Sequence, residues 1–436
     1  MEFRLYKRRW VGVVALFVLN VAAGCNWLWF GAIANDVAST FDISLTKVNW
    51  LSNVVNLMYL PVSCVVPVVS ARFGLRTSCI FGSVVLFIAC WLRYAATAHS
   101  LSPSGAYAVL MVAQLLAGLG QPWFQVLGPK YSEAWFDLGG RTTATAIIAI
   151  ANPVGGAIGQ VLSPATDGVR TSILVLAILT SVCVPFAFLI FTAPPIPPTY
   201  AGSQPSPPVM HTLRAALGLQ RHGEMGMNPR EKLDFAILTL LFGVLVAAAN
   251  MFFTLVNQIF APYGYSSDAS GNMGAALILS GIAASIISAP VFDRFLTHHL
   301  SGTAKVIVPV IAVCWVSLIW DVTPHNYTGL YIVLVLIGIG SFMLLPVALE
   351  LGCEVTRSAE TSSAVLWFSA NLFSFIFIII GNALRAGPDA SPPLNMHRTL
   401  IFIGSVVAVA AVSVFWVNGK QVRREQDAAA REAKDS

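Results

Sequence analysis

Long apolar blocks, each closed by a short polar or proline-bearing break, recur along the whole chain. They fall at 10–33, 47–69, 75–97, 105–128, 142–163 and 171–193, and again at 234–260, 270–292, 304–320, 327–349, 361–384 and 398–417. A helix needs about 20 such residues to cross the hydrocarbon core of a bilayer, so each block predicts one spanning helix, six and six. Residues 194–233 separate the two sets. They open with Pro194, Pro195, Pro197, Pro198, Pro205, Pro207 and Pro208, then turn polar and basic. That pattern predicts a linker, with a short surface helix near 210–219. The expected chain is an all-α membrane protein of twelve transmembrane helices: an N-terminal six-helix half (1–193), the linker (194–233), a C-terminal six-helix half (234–418) and a charged tail (419–436).

Polar positions inside the blocks are not scattered. Predicted helices 3, 6, 9, 10 and 12 hold no Asn or Gln. Helix 2 carries Asn49, Asn53 and Asn56, and helix 4 carries Gln114, Gly118, Gln121 and Gln125. Helix 7 carries Asn250, Thr254, Asn257 and Gln258, and helix 11 carries Ser363, Trp367, Asn371 and Ser374. Spacings of three, four and seven put each set on one stripe of a helix. Amides can tie neighbouring helices together at about 0.6 kcal/mol each, but such ties would spread over all twelve helices. Stripes confined to some helices predict a polar cavity, to which Asn26 in helix 1 and Asn152 in helix 5 also belong.

Composition makes lipid the solvent. The chain has 436 residues, 56% hydrophobic and 10% charged, against about a quarter charged in a soluble domain. Of its 25 Lys and Arg residues, the twelve-span layout puts Lys47, Arg93, Arg170, Arg385 and Arg398 on one side and the remainder on the side of the termini. The positive-inside rule then predicts both termini and the linker to be cytoplasmic. Asn326-Tyr327-Thr328 falls outside, too close to the membrane for glycosylation. Seven scattered cysteines show no metal spacing. The basic residues sit at helix ends and form no nucleic-acid patch. The N-terminal apolar run is too long for a cleaved signal and reads as the first span.

Missing charges narrow the chemistry. No Asp, Glu, Lys or Arg lies in the middle third of any predicted span; Asp36 is at the outer end of helix 1, Glu350 and Glu354 at the inner end of helix 10. A proton carrier is expected to hold an embedded carboxylate or His, and an anion carrier a central cation. The expected guest is neutral or cationic. An aromatic face can hold a cation without a carboxylate, and Trp27, Phe252 and Phe253 lie at matching depths of helices 1 and 7.

The two halves echo one another. Val21-Ala22-Ala23 precedes Asn26-Trp27, and Val246-Ala247-Ala248 precedes Asn250. Arg72, Gly74 and Arg76 follow helix 2, while Asp293 and Arg294 follow helix 8. Further stretches are Arg8-Arg9-Trp10-Val11, Asn26-Trp27-Leu28-Trp29-Phe30, Val48-Asn49-Trp50-Leu51-Ser52 and Gly74-Leu75-Arg76. In helix 4 come Gln114 and Ala117-Gly118-Leu119-Gly120-Gln121-Pro122. Ala134-Trp135-Phe136, Leu255-Val256-Asn257-Gln258-Ile259 and Leu345-Pro346 with Glu350 and Glu354 complete the set. In order and spacing these resemble the feline leukaemia virus subgroup C receptor family of the major facilitator superfamily.

The resemblance implies twelve helices, alternating access, and transport of choline or ethanolamine, with haem also proposed as a cargo in the family. It implies that helices 3, 6, 9 and 12 are lipid-facing supports and that Trp27 matches a helix 1 Trp of the family's cation cage. Asn250 stands where the cage has a Tyr and Pro153 where it has a Gln, while Ala151-Asn152-Pro153-Val154-Gly155 looks like a less characterised branch. Ala71 stands near the place of the superfamily's usual acid in the helix 2–3 loop. The gating residues implied are Arg72, Gly74, Arg76, Asp293, Arg294, Glu350 and Glu354.

The expected function is transport of a small neutral or cationic organic solute by a monomer, uncoupled from protons, with lipid and solute as the partners and no metal or cofactor. The membrane is the plasma membrane or an endomembrane such as the vacuole or lysosome. The alternatives are a carrier of haem or another organic solute, or a transporter-like receptor or scaffold with little flux. An enzyme is not expected, since no nucleophile elbow, phosphate loop or metal-ligand spacing stands out.

Overall fold

In a computed structural model, the chain is described for residues 4–418 apart from 138, 164, 200–213, 215–218, 220–226 and 295–299. The tail and, apart from Arg214 and Leu219, the expected surface helix near 210–219 lie outside the described residues. The first half comprises α1 (Arg9–Ala32), α2 (Ala34–Phe41), α3 (Leu45–Ala95), α4 (Pro103–Gly120), α5 (Pro122–Gln125), α6 (Gly128–Trp135), α7 (Arg141–Leu162) and α8 (Val169–Cys183). The second comprises α9 (Pro229–Phe260), α10 (Ser267–Arg294), α11 (Leu300–Asp321), α12 (Tyr327–Thr356), α13 (Ala359–Ala383) and α14 (His397–Val412).

Eleven helical segments among the described residues are long and apolar enough to cross a membrane. One of them, Lys47–Ala95, has 49 residues, about twice what a crossing needs. Gly74 breaks it with φ 82° and ψ 164°, a left-handed backbone that glycine adopts without a Cβ penalty. This segment therefore makes two crossings, and the twelve spans read from the sequence are all present. The predicted block 105–128 is not one helix. Pro122 lacks an amide hydrogen and disfavours helix at the residue before it, so α4 ends at Gly120 and the short α5 and α6 carry the chain on to Trp135. The sixth block likewise ends its α-helix at Cys183. A 3-10 turn, Val184–Leu189, follows with Pro185 in its first turn.

The chain divides into two compact units. The first holds Lys7–Gly128 and Ile147–Ala193. Within it α1 and α7 touch backbone to backbone. A Cβ on Gly24 would stand 2.0 Å from the Asn152 carbonyl oxygen, and one on Gly155 would stand 2.0 Å from the Val21 oxygen. Only residues without a side chain let two helices approach so closely. The apolar window of α1 is 72% buried, the most enclosed of the spans, whereas that of α11 is 33% buried and left for lipid.

The second unit holds Pro129–Ala146 together with the chain from Pro194 onward. Here α10 packs along α12, and α9 along α13. An edge-to-face group of Phe252, Phe253, Phe260 and Trp315 joins α9 to α11, with ring centroids 5.9–6.1 Å apart. Asn326 caps α12: its side-chain oxygen accepts from the Gly329 amide and its NH2 donates to the Asp321 carbonyl. Both ends of the sequon amide are therefore already engaged.

Candidate functional site

In the first unit, Trp27 packs against Leu28 and Val55 and is 9% exposed. Its indole N–H is buried with no protein partner. The same condition holds for Asn53 Oδ1 and Asn56 Nδ2 on α3, Gln125 Oε1 on α5 and Asn152 Nδ2 on α7. Buried polar groups are nearly always hydrogen-bonded, and leaving one unmade costs about 1–3 kcal/mol. These five are among the buried atoms of this unit that a polar guest or solvent can satisfy. Gln121, buried between α4 and α5, closes α4 with its backbone N–H on the Ala117 carbonyl.

Asn26 is placed differently. Its NH2 donates to the Ala22 carbonyl at 2.8 Å and to Thr180 Oγ1 at 3.1 Å. Its oxygen accepts from Arg93 Nη1 at 2.5 Å and from the Cys90 thiol at 2.9 Å. Neighbours in the sequence, Asn26 and Trp27 point about 100° apart around α1, and Asn26 turns to α3 and α8. Its hydrogen-bonding capacity is taken up by protein.

The second unit spends its amides on packing. Asn250 Nδ2 donates to Ser374 Oγ at 3.0 Å, tying α9 to α13, and Asn371 Nδ2 donates to the Trp367 carbonyl one turn back. Phe252 is fully buried in the aromatic group, whereas Phe253 is part-exposed. Trp367 stands edge-on to Phe242 at 5.2 Å, and its indole N–H, like the hydroxyl of Ser363 one turn earlier, has no protein partner. The side chains of Asn257, Asp293 and Arg294 lie outside the described residues.

The turn between α12 and α13 carries the densest polar contacts. Thr145 donates its hydroxyl to Glu350 Oε1 at 2.7 Å, and Lys130 pairs with Glu360. Glu350, Glu354 and Glu360 are all buried. Arg357 pairs with Glu231 at 2.7 Å, and Arg141, itself buried, donates to Thr199 Oγ1. Segment 129–146 is thus latched to the ends of α12 and α13. Arg72 and Arg76 are exposed, Arg72 with its guanidinium 5.4 Å from the Phe73 ring centre.

Lys130, Thr145 and Glu360 escaped the sequence reading because polar residues at helix ends pass for solvated ones. Arg93, which the sequence shows only as a charge near the outer end of predicted helix 3, lies in the last turn of α3 and is wholly buried.

The model of the Major Facilitator Superfamily matches residues 15–382. The chain belongs to the major facilitator superfamily. It is a multi-pass membrane transporter and not an enzyme. Solute carrier family 49 member A3 of Danio rerio is 28% identical over 98% of this chain and 91% of that protein. The choline/ethanolamine transporter FLVCR2 of Homo sapiens is 24% identical over 86% of this chain and 72% of its own length. FLVCR1 of Felis catus, also a choline/ethanolamine transporter, is 25% identical over 89% and 69%. The resemblance read from the motifs therefore stands. Two solved structures share the fold. The human organic anion transporter MFSD10 has a TM-score of 0.68 at 10% identity over 93% of this chain and 99% of that one. A double Trp mutant of XylE has a TM-score of 0.71 at 12% identity over 97% and 99%.

Proposed function

We propose that this superfamily member carries a small neutral or cationic organic solute of the choline or ethanolamine class by alternating access, without proton coupling. The observation that carries the reading is Trp27, a ring on α1 with its indole N–H unanswered by protein, in a bundle where amide atoms of Asn53, Asn56, Gln125 and Asn152 are equally unanswered. A desolvated cation over such a ring gains about 2 kcal/mol or more, and the amides supply hydrogen bonds to a hydroxyl or amine. Gln121 and Asn152 are the polar contacts assigned on this side. Within the second unit by itself, Phe253 and Trp367 present ring faces, and Asn250 ties α9 to α13. Relatives named as choline/ethanolamine transporters support the cargo class.

The charge distribution supports uncoupled transport. Asp36 is exposed on α2, while Glu350, Glu354 and Glu360 lie toward the α12–α13 turn, where Glu350 accepts from Thr145 and Glu360 is ion-paired with Lys130. In the proposed orientation both termini, the linker and this turn are cytoplasmic, and the Lys130–Glu360 and Thr145–Glu350 contacts form a cytoplasmic latch. The test is uptake into vesicles reconstituted with the purified chain, using labelled choline, ethanolamine, amino acids and a porphyrin in parallel. Saturable uptake of the amines alone is expected. Porphyrin uptake, or flux of none, would favour the haem-carrier or receptor reading.

A further inference from the structure

The most costly group in the first unit has no role in the reading above. Arg93 is wholly buried in the last turn of α3. One nitrogen, Nη1, donates to Asn26 Oδ1, and the guanidinium stands 5.8 Å from the Phe30 ring centre. Nε and Nη2, which point from the same edge of the guanidinium, have no protein partner. The acids in the nearby connections, Asp36, Asp42 and Asp167, are exposed, and among the described residues none pairs with Arg93.

A buried cation is costly unless paired, and arginine stays charged at any physiological pH. The free edge is the fork that takes an anion with two parallel N–H bonds. On the opposite, Nη1 side, Asn26 is itself held by the Thr180 hydroxyl and the Cys90 thiol, which are 3.2 Å apart. We infer that Arg93 anchors a buried anion site between α1, α3 and α8, and that its anion is a small monovalent ion of the halide class. Asn26, itself fixed by Thr180 and Cys90, holds the far side of the guanidinium and so aims the open edge. Full burial excludes a lipid headgroup, because no part of the side chain reaches the surface. The site is separate from the proposed cargo site: Arg93 engages Asn26, which turns away from Trp27 around α1. The ion is structural, completing the charge balance of the first unit.

The experiment uses the full-length purified chain in detergent, exchanged into sodium gluconate and titrated with chloride or bromide at constant ionic strength. A ligand that binds only the folded state raises Tm by mass action. The expected result is a saturable rise in Tm with either halide. Arg93→Gln should abolish the halide dependence, and Arg93→Lys, which keeps the charge but not the fork, should raise the half-saturating concentration about tenfold. A wild-type Tm indifferent to halide overturns the inference, as does an Arg93→Gln protein that keeps the full dependence. If neither variant folds, chloride-35 NMR line broadening on the wild-type protein decides. Broadening that bromide displaces and Thr180→Val weakens supports the site, and its absence refutes it. None of these readouts depends on which solute the protein carries, so the anion site and the cargo assignment fail independently.

Discussion

The hydroxyl of Thr145 donates to the carboxylate of Glu350 at 2.7 Å, joining the start of α7 to the C-terminal part of α12. Close by in the same unit, Lys130 pairs with the buried Glu360 at the start of α13. Both contacts fasten one short segment, 129–146, to a turn that the sequence alone shows only as scattered polar residues.

Removing one partner of a largely buried pair destabilises by about 3–5 kcal/mol. Lys130 retains 22% exposure, which lowers the expected cost to roughly 1–3 kcal/mol, about a 5- to 150-fold shift between latched and released states. Lys130→Ala should therefore raise the reactivity of native Cys353, which is buried on α12 next to Glu354. Mass spectrometry of maleimide-treated protein reads the labelling site by site. Unchanged protection of Cys353 in Lys130→Ala and Glu360→Gln would mean the pair holds nothing closed.

The α1–α7 crossing predicts a graded set of glycine variants. An added Cβ meets backbone at 2.0 Å at Gly24 and at Gly155, but nothing within 4 Å at Gly31. Backbone cannot move aside as a flexible side chain can, so Gly24→Ala and Gly155→Ala should each cost about 3 kcal/mol or more. Gly31→Ala should be close to neutral. Thermal unfolding of the purified variants orders them, and a stable Gly24→Ala protein would disprove the close approach.

How much of this was legible depended on whether a signal was local. Twelve spans follow from apolar run length, a property of each stretch by itself. Breaks at Pro122 and Pro185 were equally local, yet the sequence reading drew single blocks through both because hydropathy continues across them. Partnerships were not local. Asn26 and Trp27 are adjacent and look alike as candidates, but one is consumed by Arg93, Cys90 and Thr180 while the other keeps a free indole N–H. Phe252 and Phe253 divide in the same manner. Nothing in the stripe pattern distinguishes an amide that binds a neighbouring helix from one left open, since that depends on residues up to 154 positions away.

Orientation is tested by labelling. With the linker cytoplasmic, single cysteines placed within 194–233 should resist a membrane-impermeant maleimide added to intact cells and react after permeabilisation. Labelling of intact cells would invert the topology and place the latch on the opposite face.

Energy coupling is tested in vesicles held at fixed membrane potential. Concentrative uptake of the cargo should survive collapse of the pH gradient, because no carboxylate lies in the middle of a span. Its loss would point to a proton site at Asp36 or Glu350.

The account rests most heavily on Trp27. Labelled choline binding to purified wild-type protein and to Trp27→Phe and Trp27→Ala variants, matched for folded yield, measures its role directly. Loss of the ring should cost about 2 kcal/mol, or roughly thirtyfold in affinity, and Trp27→Phe should weaken binding only modestly. A folded Trp27→Ala protein that binds choline as tightly as wild type would contradict the proposed site.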